Sequence, residues 1–191
     1  MSLPDKLPSV KFPRAAAIEV ARELCQVLRP VTERLIVAGS LRRRRAEVGD
    51  VEILFIPITG SEPDGFFDTR VVNLADRQLD QLLAGGRLEP RLSKLGSRTW
   101  GQENKLAVHK ASGIPVDLFT TNALSWYNYL VCRTGSAENN VRIAAAAKAK
   151  GWQWHPYGSG FTDELKQARV VQSEREVFEY AGLPYLEPWE R

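Results

Sequence analysis

Three acidic residues head apolar segments in this 191-residue chain: Asp50 and Glu52 in DVEILF, and Asp117 in VDLF. Side chains alternate faces along a strand, so Asp50 and Glu52 point the same way, about 6.5 Å apart at the backbone, while Val51 and Ile53 turn into a core. That spacing suits two carboxylates sharing magnesium. Hard divalent cations prefer oxygen ligands, and two ions held ~3.5–4 Å apart activate an attacking oxygen and neutralise a leaving phosphate. Such a site needs a third carboxylate, and Asp117 offers one from the same kind of strand head.

Ahead of this pair stands GSLRRRR, Gly39 to Arg45. A glycine after a buried strand permits a tight turn, and a helix starting at Ser40 aims its positive end at an anion. The Ser40 hydroxyl and an arginine would complete a phosphate cradle. Taken alone, the stretch also reads as a charged surface helix before a polar-headed strand; the separate strand aspartate is what favours a site.

Several elements must position these groups. RAAAIEVARELCQVL after Pro13 reads as a helix, with Ile18, Ala21, Cys25 and Leu28 at helical spacing and a stop at Pro30. RLIVA (34–38) and DVEILFIP (50–57) read as buried strands, the second ended by the turn-rich TGSEPDG. VVNLADRQLDQLLAGG reads as a helix, and KLAVHK, ASGIP and VDLFT as a hairpin. After Thr121 the pattern turns helical: ALSWYNYLVCRTGS, then AENNVRIAAAAKAKG closed by Gly151. GWQWHPYGSGF and a short helix follow, the helix opened by a capping box of Ser173 and Glu176. Trp100 and the aromatics of GWQWHPYGSGF read as core or sheet surface. The fold class is α/β (α+β), with a mixed sheet and flanking helices over 1–122 and a small α+β unit over 123–191.

Composition bounds the rest. A 43% hydrophobic content supports a core without staples. Cys25, Cys132, His109 and His155 are scattered, which excludes a disulfide framework or a zinc cluster. The first residues carry no apolar leader and no run of 18 apolar residues occurs, so a cytoplasmic location is expected. A net charge of +3 excludes a general polyanion binder. Basic residues nonetheless cluster at Arg42–Arg45, at Arg87, Arg91, Lys94 and Arg98, and at Arg142, Lys148 and Lys150, which suits a phosphate-bearing partner.

At these residues the chain resembles the nucleotidyltransferase superfamily and, more narrowly, the polymerase-beta-like X family of DNA polymerases. The resemblance rests on FPR (12–14), GSLRR (39–43), Gly49-Asp50, VDLF (116–119), RTGS (133–136) followed by Asn140, and the tail GLPYLEPWER. It implies a catalytic palm over 1–122 and a thumb-like nucleotide- and DNA-binding piece over 123–191. It further implies that Asp50, Glu52 and Asp117 hold two magnesium ions, with Asp117 accepting the primer 3′-hydroxyl proton. Gly39, Ser40, Arg43 and Gly49 match positions that hold a nucleoside triphosphate. Arg133, Thr134 and Gly135 fall at the nucleotide sugar, and Asn140 at the nascent base pair, where a minor-groove acceptor common to all pairs can be checked. From Asn140 helical spacing leads to Ala144 and Ala147, a small-residue face that would lie against a base pair or pack on a neighbouring helix. Arg42, Arg44, Arg45, Arg91, Lys94, Arg98 and Lys148 are the expected DNA contacts.

The chain departs from the family pattern in three places. Glu52 stands where the polymerases have Asp, which implies lower activity or a preference for manganese. Cys132 and Arg133 replace an aromatic pair that senses the sugar, which leaves deoxy-versus-ribo selectivity open. The match begins at Phe12, so no lyase module and no lyase activity are expected. The expected function is a monomeric, distributive gap-filling DNA polymerase in DNA repair. Two alternatives share the residues: a nucleotidyltransferase acting on another acceptor (a terminal transferase, or one using an RNA end or small molecule), and a noncatalytic nucleic-acid-binding module of the same fold.

Overall fold

The computed structural model of the protein describes residues 10–65, 68–92 and 96–191. A short strand β1 (Phe12–Pro13) leads into helix α1 (Arg14–Leu28), with Pro13 at its N-cap. β2 (Thr32–Val37) follows, then the one-turn helix α2 (Gly39–Arg42), β3 (Glu47–Val48), which pairs with β1, and β4 (Val51–Pro57). After α3 (Leu74–Ala84) come β7 (Leu88–Pro90), β8 (Asn104–His109) and β9 (Ile114–Thr120). The central sheet runs β2-β4-β9-β8-β7 and is mixed, because β4 and β9 are parallel while the other neighbours are antiparallel.

Strand alternation divides this sheet into two faces. Val51, Ile53 and Phe55 of β4, with Val116 and Leu118 of β9, join Leu24 of α1 and Leu79 of α3 in one core. The alternate residues Leu54, Ile56 and Phe119 meet Trp126, Tyr129 and Leu130 of α4 (Trp126–Thr134) on the opposite face. Asp50, Glu52 and Asp117 share the phase of this second face. The pattern that buries the strands therefore turns all three carboxylates toward the C-terminal part of the chain.

That part has its own core. Val131 of α4, Ile143 and Ala147 of α5 (Ala137–Ala149), and Val177 and Phe178 of α6 (Glu174–Ala181) enclose it. A small antiparallel sheet of β10 (Gln153–Trp154), β11 (Gly160–Thr162) and β12 (Ala168–Val170) adds the buried rings of Trp154 and Phe161. Trp100 packs partly against the first core and Trp152 against the second, as expected of core and sheet residues, but Tyr157 departs from that expectation: it sits exposed in the turn before β11, beside the Arg133 guanidinium.

Four local expectations are corrected. TGSEPDG is not only a turn: β5 (Thr59–Asp64) pairs with β6 (Asp68–Asn73) in a two-stranded ribbon. Apart from Val71 and Val72 its side chains are mostly polar, so backbone pairing rather than hydrophobic alternation forms it. Val71 and Val72 consequently belong to β6, and α3 begins only at Leu74, where the Asn73 side chain accepts from the Asp76 N–H at 3.0 Å. The alanine face of α5 splits, with Ala147 buried in the core and Ala144 exposed. At α6 the Ser173 hydroxyl caps the Glu176 N–H at 3.2 Å, while the Glu176 carboxylate accepts from Gln172 rather than closing a box on Ser173. Among the described residues no helix is long and apolar enough to cross a membrane.

Candidate active site

Parallel pairing of β4 with β9 sets Glu52 directly opposite Asp117. Asp50, two residues before Glu52, lies on the same face, so residues 67 and 65 positions apart along the chain converge on neighbouring strand ends. Their electrostatics register this convergence. Burial pushes the Glu52 carboxyl up to about 8, with repulsion from Asp50 and Asp117 adding to it and Arg133 and Arg43 opposing it. Asp50 is pushed up chiefly by burial, against Arg91, Lys11 and Arg43. Asp117 is raised chiefly by burial too, although Arg91 forms an ion pair and hydrogen bond with it.

The phosphate-turn residues stand against this group. Ala38 donates its backbone N–H to the Glu52 carbonyl at 2.8 Å, which fixes the start of α2 beside β4. Gly39 has φ +58°, and a Cβ there would stand 2.6 Å from Glu52 Oε1. Glycine is required twice over, by its left-handed backbone and by the carboxylate leaning on it. The Ser40 hydroxyl is buried with no partner among the described residues, a donor in want of an acceptor. Gly49 lies 3.6 Å, measured from its notional Cβ, from the Lys11 ammonium. Lys11 thus joins the basic side of the site. Sequence reasoning passed over it because a lone exposed lysine before FPR carries no periodic signal.

The C-terminal residues close the other side. The Arg43 guanidinium donates to the Thr134 carbonyl and packs at Gly135, whose φ is +69°. Arg133 stacks its guanidinium 3.6 Å from the Phe119 ring centroid, with Tyr157 at 5.0 Å and Tyr129 at 5.2 Å, and its Nε is buried without a partner. Asn140 donates to the Cys132 carbonyl at 2.8 Å, leaving its Oδ1 buried and unpartnered.

The expected DNA contacts fare unevenly. Arg42 turns inward, donating to Glu174 at 2.5 and 2.9 Å and to Thr134 Oγ1 at 2.7 Å. Its charge is spent within the protein. Arg91 is likewise turned to Asp117, and Arg45 donates to the Arg191 carbonyl at 3.0 Å. Arg44 lies over the Trp189 ring at 3.9 Å. Arg98 and Lys148 are exposed, and Lys94 lies outside the described residues.

As the side chains stand, no three His, Cys, Asp or Glu residues among those described are arranged to hold a metal ion. The reason is visible in the contacts: Glu52 leans on Gly39, and Arg91 holds Asp117. The donor chemistry nevertheless fits a hard divalent cation. Three oxygen donors on adjacent strand ends are all disfavoured as anions by burial, which is the condition a cation relieves.

Comparison with known proteins follows the same lines. Residues 129–191 match the family model of the DNA polymerase beta thumb. Over 95% of this chain, the sequence is 28% identical to DNA polymerase lambda of Rattus norvegicus, covering 33% of that protein. It is 26% identical to the DNA polymerase/3′-5′ exonuclease PolX of Bacillus subtilis (strain 168), over 93% of this chain and 28% of that one. The chain thus spans about a third of the length of the relatives it matches. Two crystal structures of Leishmania infantum polymerase beta, a ternary P/T complex and a ternary gap complex, share its fold. Their TM-scores are 0.69 and 0.72 at 20% and 19% identity, covering 95% of this chain and 77% and 71% of theirs.

Proposed function

This chain is a relative of the polymerase-beta-like X family, and from that premise we propose that it is a minimal DNA polymerase. It would transfer a nucleotide from a deoxynucleoside triphosphate to a primer 3′-hydroxyl, releasing pyrophosphate, with gapped DNA as the working substrate and repair as the setting. The observation that carries this reading is the register of Glu52 on Asp117, with Asp50 on the same face and Gly39 against Glu52.

Residues 1–122 serve as the palm in this reading and 123–191 as the thumb; a core on each side supports the division, and α4 packs on the sheet across it. Asp50, Glu52 and Asp117 would hold the divalent cations, magnesium or manganese. Bound there, the cations supply charge neutralisation for an in-line displacement. The Ser40 hydroxyl, the Arg43 guanidinium and the backbone at Gly39 and Gly49 bind the triphosphate. Asp117 accepts the primer hydroxyl proton once Arg91 has released it. Arg133, Thr134 and Gly135 bound the sugar, and Asn140 turns its unpaired Oδ1 toward the nascent base pair.

The test is primer extension on gapped DNA with magnesium and then manganese. Asp117→Asn is expected to lower incorporation by about three orders of magnitude, the scale set by loss of a metal-bearing carboxylate. Equal rates from wild type and variant would remove the catalytic assignment. Incorporation that ignores the template would move the reading to a terminal transferase.

A further inference from the structure

Behind α2, away from the acidic strand ends, lies a cavity of about 670 Å3. Ile18, Ala21 and Cys25 of α1 form one wall, and Val37 and Leu41 stand in another. Every charged residue on it is an arginine: Arg14, Arg22, Arg29 and Arg42. Two of these are already neutralised, Arg22 by Glu19 and Arg42 by Glu174. Arg14 gives a hydrogen bond to the Leu41 carbonyl at 2.6 Å, and among the described residues neither Arg14 nor Arg29 has a carboxylate partner.

A concave, largely apolar cavity of a few hundred cubic ångströms with a few convergent polar groups is the usual form of a small-molecule site. We propose that this one binds an amphipathic carboxylate, its aliphatic body between α1 and β2 and its head at Arg29 and Arg14. Charge selects among occupants. A neutral alkyl chain would gain only burial, whereas a cation would meet two uncompensated guanidinium groups. Arg29 acts within the cavity already: burial pushes the Cys25 thiol up, and the neighbouring Arg29 charge pulls it back. The cavity also borders Leu41 and Arg42 of α2, so an occupant would touch the helix that carries Gly39 and Ser40.

Cys25 in the wall and Cys132 in the C-terminal unit give an internal reporter and control. The folded protein is alkylated with N-ethylmaleimide, and the two cysteines are followed separately by peptide mass spectrometry. Decanoate is expected to slow modification of Cys25 at least fivefold while changing Cys132 less than twofold. Arg29→Glu should raise the half-protecting concentration at least fivefold, and Arg29→Lys should keep it within twofold. Equal protection by decyltrimethylammonium, no protection at all, or protection unchanged in Arg29→Glu would each overturn the site. A cavity built for a partner protein's side chains would give the second of these outcomes.

Discussion

Two sets of enclosed charge meet at α2, and they follow opposite rules. In the first, Glu174 accepts from Arg42 and, at 2.8 Å, from Arg191, so one carboxylate faces two guanidinium groups. Burial is the largest single influence on Glu174 and pushes its pKa up, yet the two arginines hold it below the ordinary range. In the second, Asp50, Glu52 and Asp117 share one ion pair among the described residues, that of Arg91 with Asp117, and all three are pushed up. Compensated charge fastens structure. Uncompensated charge costs stability and persists where a ligand completes it.

The comparison breaks most visibly at Glu174. Arg191 is enclosed, with its side chain 0% exposed, so Glu174→Ala leaves it and Arg42 without a counter-charge. Removing one partner of such a set costs about 3–5 kcal/mol, which for a chain of this size lowers Tm by roughly 6–20 °C. Calorimetry near pH 7 checks it. A shift under about 2 °C would mean that the two cores are fastened elsewhere. The loss should shrink in acid, because a carboxylate with a lowered folded pKa stabilises above its unfolded pKa and stops doing so as pH falls through the folded one.

How much of this was legible depends on distance along the chain. The polar–apolar start of DVEILF marked the strand head and turned Val51 and Ile53 inward, because period 2 is a local property. The pairing of Glu52 with Asp117 was only inferable, since a ribbon, a helix and two strands intervene between them. The Arg42–Glu174 contact was not legible at all. Its partners are separated by 132 residues, and four consecutive arginines look alike until packing turns one inward. The β5–β6 ribbon escaped for the opposite reason: its pairing is local, but polar residues on both faces erase the alternation that announces a strand.

A middle-sized effect sharpens the contrast at Glu52, where the sign of the pH dependence reverses. Its folded pKa, about 8, lies above the ordinary glutamate value of about 4.5. The cost of ionising it is therefore absent below about 4.5, grows as pH rises, and is complete above about 8. Glu52→Gln should stabilise the metal-free protein by about 1–2 kcal/mol at pH 8.5 and leave it near wild type at pH 5. Thermal melts at the two pH values decide it. Equal shifts at both would show that the gain comes from packing against Gly39 rather than from charge.

The smallest effect belongs to Arg91, the acidic region's counter-charge. Its side chain is 32% exposed, so solvent screens it and Arg91→Met should cost about 1 kcal/mol or less at pH 8. Direction carries the argument. Without Arg91 the repulsion among Asp50, Glu52 and Asp117 has one less offset, so their protons are held more firmly and the loss of stability appears as pH rises toward 8. Asp117 is also released from its ion pair, so added manganese should raise the Tm of Arg91→Met more than that of wild type, by a further 1–2 °C on the same energy scale. In the compensated region the same manoeuvre would bring no such gain, because Glu174 released from Arg42 would still be held by Arg191. A manganese response identical in Arg91→Met and wild type would mean that Arg91 does not compete with a cation for Asp117.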